Sequence, residues 1–91
     1  MEPQAVLDLH GFTADEAARE IDKFLTESFK AGLRKVIIVH GKGIHSSGEG
    51  VLSKLTEERV SKHPLAGENS LSKGPEGGSG ARWVILRQRS R

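Results

Sequence analysis

Hydrophobic positions along the chain fall into periodic stretches separated by glycine-rich or charged segments. In residues 5–9, Leu7 and Leu9 alternate with Val6 and Asp8, and the same alternation sets His10 beside Asp8. A period of two predicts a short strand. Ala14, Ala17, Ala18, Ile21, Phe24, Leu25 and Phe29 then recur at helical spacing and form one apolar stripe. Thr13 and Glu16 form a capping-box pair ahead of that stripe, and Phe12 is placed to staple against Ala17. Asp15 and Glu16 suit the positive end of the helix dipole, and Gly32 supplies the stop.

Val36, Ile37, Ile38 and Val39 are consecutive β-branched residues, the pattern of a strand covered on both faces. Strand, helix and strand in this order make a βαβ unit. A second helix is predicted over 49–62, with Val51, Leu52, Leu55 and Val60 as its apolar face and Pro64 as its stop. Residues 67–80 hold five glycines, Pro75 and three serines, which predicts a mobile loop with at most a short edge strand over 69–71. Residues 81–86 form the last strand. Residues 1–4 read as an extension, 5–87 as one domain and 88–91 as a basic tail.

At 91 residues the chain has room for one core. The 14 Lys plus Arg against 12 Asp plus Glu leave a net charge of +2, so polyanion binding is not implied by composition. Without cysteine, disulfides, thiolate zinc sites and a Cys nucleophile are excluded. The chain has no run apolar enough for a membrane span, and its first residues do not form a signal peptide. The expectation is a soluble, cytoplasmic domain, monomeric on its own.

Two His-Gly pairs carry the candidate chemistry. His10-Gly11 closes the first strand and His40-Gly41-Lys42-Gly43 the second. In a βαβ unit both pairs fall at the carboxyl edge of one sheet, where open α/β sheets bind ligands. Asp8 and His10 project from the same side of their strand, so the carboxylate can orient the imidazole for acid–base work. The plainer role for Asp8 is to cap the turn that follows. Residues 41–50 contain four glycines and lead into a helix, an arrangement suited to a phosphate oxygen, with Lys42 as a cation. Neither a P-loop nor a GxGxxG pattern is present, which argues against a nucleotide cofactor. Asp8, His10, His40 and His45 lack metal-ligand spacing, so no metal site is assigned. His63 reads as an exposed helix end.

Asp8-Leu9-His10-Gly11, the helix, and the β-branched strand ending in His40-Gly41-Lys42-Gly43 together resemble the Smr (small MutS-related) domain. Gly77-Gly78-Ser79-Gly80-Ala81 followed by Val84-Ile85-Leu86 is similar to that family's glycine-rich loop and final strand. The resemblance implies an α/β fold, an α+β two-layer sandwich of βαβαββ order. Its mixed four-stranded sheet and two helices would be similar to the C-terminal domain of a bacterial translation initiation factor. It further implies endonuclease activity on RNA or structured DNA, in a domain that is often part of a larger protein. Asp8, His10 and His40 would be catalytic, and Gly41, Lys42, Gly43 and His45 would hold the substrate. Many members carry an Arg after the leucine that opens the second helix; here Ser53 follows Leu52, and Lys42, Lys54 or His45 would have to replace it.

The leading expectation is therefore an endonuclease that needs no cofactor, with stimulation by a divalent metal left open. Arg34, Lys35, Arg82 and the tail would contact flanking phosphates. The alternative is a non-catalytic module that binds structured nucleic acid or the ribosome. A third reading, a binder of small phosphorylated metabolites, lacks a P-loop and an acidic ribose partner. Scarce aromatics argue against a base-stacking platform.

Overall fold

A computed structural model describes residues 2–41, 47–72 and 80–88, the side chains of 47–50 excepted. The order is β1 (Val6–Asp8), α1 (Ala14–Lys30), β2 (Lys35–Val39), α2 (Ser47–Lys62), β3 (Ala66–Leu71) and β4 (Ala81–Leu86). They form a mixed sheet of order β1-β2-β4-β3, in which β1 and β2 are parallel and β4 is antiparallel to both neighbours.

The ends of α1 follow from local chemistry. Thr13 Oγ1 accepts the Glu16 amide proton at 3.2 Å, and Glu16 Oε1 accepts that of Thr13 at 2.9 Å, so two orphan donors are satisfied reciprocally. At the other end Gly32 has φ 79°, the Leu33 amide donates to the Ser28 carbonyl, and the Gly32 amide donates to Phe29. This is a Schellman stop, which requires the left-handed backbone that glycine adopts without a Cβ clash. Ala17, Ile21 and Leu25 face the core as the stripe predicts, with Ser28 also buried.

One core holds the sheet and both helices together. Leu9, Val36, Ile38, Val84 and Leu86 pack with Ile21 and Leu25 of α1 and with Val60 of α2. Ile37 belongs to the other sheet face, opposite Trp83 on β4. Ile37 is buried, but among the described residues that face carries no helix, so β2 is covered by helices on one side only.

Other expectations are also revised. The third strand spans Ala66–Leu71, longer than the short edge strand expected over 69–71, and takes up the start of the segment expected to be loop, with a register shift between Ala66 and Asn69. Its pairing with β4 supplies hydrogen bonds that its polar composition does not advertise. On α2, Val51 is 50% exposed, and fully buried Thr56 takes its place on the inner face with Leu52, Leu55 and Val60. The Thr56 hydroxyl donates to the Leu52 carbonyl at 2.8 Å, so only its methyl needs an apolar environment. His63 is no exposed helix end: its side chain is 7% exposed, and Nε2 lies 2.9 Å from Asp22 Oδ1 of α1. Among the described residues no helix is long and apolar enough to cross a membrane.

Candidate functional site

The two His-Gly corners meet. Because β1 and β2 are adjacent and parallel, with Asp8 paired to Val39, both chains leave the sheet at the same edge. The Leu9 amide donates to the Val39 carbonyl at 2.9 Å and carries the pairing to the last residue before each corner. Gly11 has φ 85° and Gly41 has φ 87°. At both positions a Cβ would meet open space, so glycine is required by the dihedral rather than by crowding.

Between the corners lies a cleft of about 490 Å³, walled by Asp8, His10 and Gly11 on one side and by Val39, His40 and Gly41 on the other. Leu52, from the first turns of α2, closes it. A further cavity, about 210 Å³ between Asp22 and His63, lies where the end of α2 meets α1.

The two imidazoles are presented differently. His10 is exposed, whereas His40 is buried. His40 Nδ1 lies 2.7 Å from the Gly41 carbonyl oxygen, which can only accept, so Nδ1 carries the proton and Nε2 of the neutral ring has a free lone pair. That Nε2 is buried, without a partner among the described residues. Burial lowers the His40 pKa below the usual histidine value, the bond to the Gly41 carbonyl opposes the shift, and the Arg82 cation adds to it.

Asp8 is exposed, and its Oδ1 accepts the backbone N–H of His10 at 2.9 Å. Among the described residues no bond joins the Asp8 carboxylate to the His10 ring. Its observed task is the capping of the corner, through which it fixes where His10 stands.

The cations expected to hold a phosphate are dispersed. Lys42, Gly43 and His45 lie outside the described residues. Lys54 is exposed on α2 and does not line the cleft. Arg82 is buried on the helix side of β4, where Nη1 donates to Asn69 Oδ1 at 2.7 Å; it is not a surface cation as placed. Lys35 begins β2 and Val39 ends it, so Lys35 stands five residue steps, about 16 Å, from His40. Its ammonium sits over the Trp83 ring at 5.7 Å. The Leu86 amide donates to the Arg34 carbonyl, which sets Arg87 beside Arg34 at that far edge. These three cations therefore form a separate basic edge. Among the described residues no three His, Asp or Glu side chains gather into a metal-binding group. Sequence patterning placed Leu52 on the apolar face of the second helix and gave no reason to assign it or Asn69 to the site; asparagine inside a strand is a weak signal, and its pairing with Arg82 appears only once the β3–β4 register is known.

Comparison with known proteins agrees with the fold. The family model described as the Smr domain matches residues 7–87. An uncharacterised protein of Treponema pallidum is 44% identical over 86 residues, covering 94% of this chain and 43% of that protein. Endonuclease MutS2 of Clostridium perfringens is 38% identical over 81 residues, covering 89% of this chain and 10% of its own length. The chain thus spans less than half of one relative and about a tenth of the other. Among solved structures, the Smr domain of Thermus thermophilus MutS2 superposes with a TM-score of 0.81 at 31% identity, covering 91% of this chain and 98% of that one. YdaL, a stand-alone small MutS-related protein of Escherichia coli, gives a TM-score of 0.87 at 28% identity over 94% and 67%.

Proposed function

The chain belongs to the Smr domain family, and from that premise we propose that it cleaves phosphodiester bonds of nucleic acid in the cleft between its two His-Gly corners. The observation that carries this reading is the convergence of His10 and His40 on one cleft at the edge of the sheet. The name of the MutS2 relatives, endonucleases, supports the reaction class.

Cleavage requires a proton taken from the attacking oxygen and a proton given to the leaving oxygen. His40 Nε2, with its lone pair free, is suited to the first task. Exposed His10 is suited to the second. The attacking oxygen forms its bond to phosphorus, its proton passes to the His40 ring, the bond to the leaving oxygen breaks, and His10 protonates that oxygen. Asp8 fixes the His10 corner through the main chain. The amides of Gly41 and Gly43, with Lys42, are assigned to the phosphate oxygens and His45 completes the substrate-binding set, whereas buried Arg82 and Lys54, which does not line the cleft, are left out of it. Water as nucleophile makes RNA and DNA both substrates; a 2′-hydroxyl restricts the reaction to RNA and leaves a cyclic phosphate.

A binding module without catalysis is the second reading. It is favoured by Ser53, which stands where many family members carry an arginine. Incubation of labelled RNA, single-stranded DNA, duplex and supercoiled plasmid with the chain, with and without chelator, separates the two. Cleavage abolished in His10→Ala with binding retained supports the enzyme. Binding with no cleavage of any substrate by the parent chain sinks it.

A further inference from the structure

Arg82 is the least expected residue near the cleft. It is a buried cation on a strand of the core sheet, and among the described residues its hydrogen-bond partner is the neutral side-chain amide of Asn69. A buried charge without a countercharge is costly and needs a reason.

The register supplies one. Ile38 on β2 pairs with Arg82 on β4, and the His40 amide donates to the Gly80 carbonyl, two residues before Arg82. His40 and Arg82 are therefore diagonal neighbours on the helix side of two adjacent strands, with Cα atoms about 7–8 Å apart. Among the described residues each keeps one buried nitrogen without a partner: Nε2 of His40 and Nε of Arg82. The first can accept only while the ring is neutral, and the second is a donor. If His40 Nε2 gained a proton, the ring would become a second buried cation beside the first.

We propose that Arg82, clamped by Asn69, is a positioning residue for His40: its guanidinium holds the ring neutral, so that Nε2 remains an acceptor while Nδ1 donates to the Gly41 carbonyl. The charge of Arg82 acts in the same direction as burial on the His40 ring, which supports the assignment. Among the described residues, the other titratable groups that line the cleft with His40 are Asp8 and His10 at the end of β1; α2 contributes Leu52, which is apolar. Its consequence for cleavage rests on the reading of the cleft given above, whereas the effect on the ring does not.

The test follows the ring proton resonances of the four histidines of the intact chain against pH, in the parent and in Arg82→Met, Arg82→Gln, Arg82→Lys and Asn69→Ala. Loss of the charge should raise the His40 midpoint by about 0.5–1 pH unit. Arg82→Lys should keep it near the parent value, Asn69→Ala should move it part of the way, and the His63 midpoint should stay put. Arg82→Gln keeps a hydrogen-bonding head for Asn69 and decides the matter if Arg82→Met does not fold. A His40 midpoint that stays at the parent value in Arg82→Gln overturns the proposal. With a cleavable substrate, the acidic limb of kcat/KM should shift upward with the midpoint. A midpoint that moves under an unmoved limb overturns His40 as the residue Arg82 serves in cleavage. Failure of the parent to cleave anything removes the cleavage reading and leaves the resonance measurement to judge Arg82.

Discussion

Asp22, midway along α1, and His63, immediately after α2, are joined by a hydrogen bond of 2.9 Å between Oδ1 and Nε2. The Leu65 amide donates to His63 Nδ1 at 3.1 Å, so the ring is neutral in this arrangement, with its proton on Nε2. One side chain thereby fixes the angle between the helices and the turn into β3. Asp22 is largely exposed, which limits the strength of the bond. Asp22→Ala should cost about 0.5–1.5 kcal/mol in chemical denaturation, and Asp22→Asn, which keeps an acceptor oxygen, less. His63→Ala should cost more than either, because it also leaves the Leu65 amide without its acceptor. Equal losses in Asp22→Ala and Asp22→Asn would mean that charge, not the hydrogen bond, is what α1 supplies.

The matched corners predict matched costs. Gly11 and Gly41 both hold φ near 85°, with open space where a Cβ would stand. Replacing either by Ala should destabilise the fold by about 1–2 kcal/mol through the dihedral alone, and Asn should be tolerated better than Ala. Urea unfolding midpoints of the four single variants check this. A neutral Gly41→Ala would show that the corner can relax to negative φ.

His40 predicts how stability depends on pH. Its pKa in the folded chain is lowered, chiefly by burial. The unfolded chain therefore binds a proton more readily, and the contribution is complete above the ordinary histidine value of about 6.5. As pH falls below that value toward the lowered folded pKa, this stability is lost. Denaturation midpoints of the parent should decline through this window, and the decline should be shallower in His40→Gln. Identical slopes in the two chains would remove His40 as the cause.

Asp8 gives a test that separates geometry from charge. Its Oδ1 accepts the His10 amide proton, a role that the Asn side-chain oxygen can also fill. Asp8→Asn should therefore keep most of any cleavage activity, while Asp8→Ala should lose it together with the His10 position. His10→Ala should reduce the rate by about 10²-fold or more, as expected for removal of an acid–base group. If Asp8→Asn falls as far as Asp8→Ala, the carboxylate charge itself is required.

The basic edge predicts a length effect. Arg34, Lys35 and Arg87 stand about 16 Å from the cleft, at the opposite end of β2. Arg34→Ala with Arg87→Ala should weaken binding of long substrates and lower the salt slope by about 1 for each lost phosphate contact. Cleavage of a short oligonucleotide should not change. An equal loss on short and long substrates would place these arginines in the cleavage step.

Much of the fold was legible in the residues. The Thr13–Glu16 capping box, the Gly32 stop and the stripe through Ala17, Ile21 and Leu25 are local chemistry, and the helix follows from them. The β-branched run of β2 and the parallel βαβ order place both His-Gly corners on one edge without further information. What the residues left undetermined depends on partners distant in sequence. β3 starts at Ala66 because β4 lies alongside to pair with it. Thr56 is buried in preference to Val51 because of how α2 rolls onto the sheet. His63 finds Asp22 only when two helices pack, and Arg82 turns inward because its strand position falls on the helix side. Short-range rules act through bonds between residues a few positions apart and can be read along the chain. Burial, diagonal neighbours and the company each charge keeps are set by packing across the sheet, and these decided how His40 and Arg82 are presented.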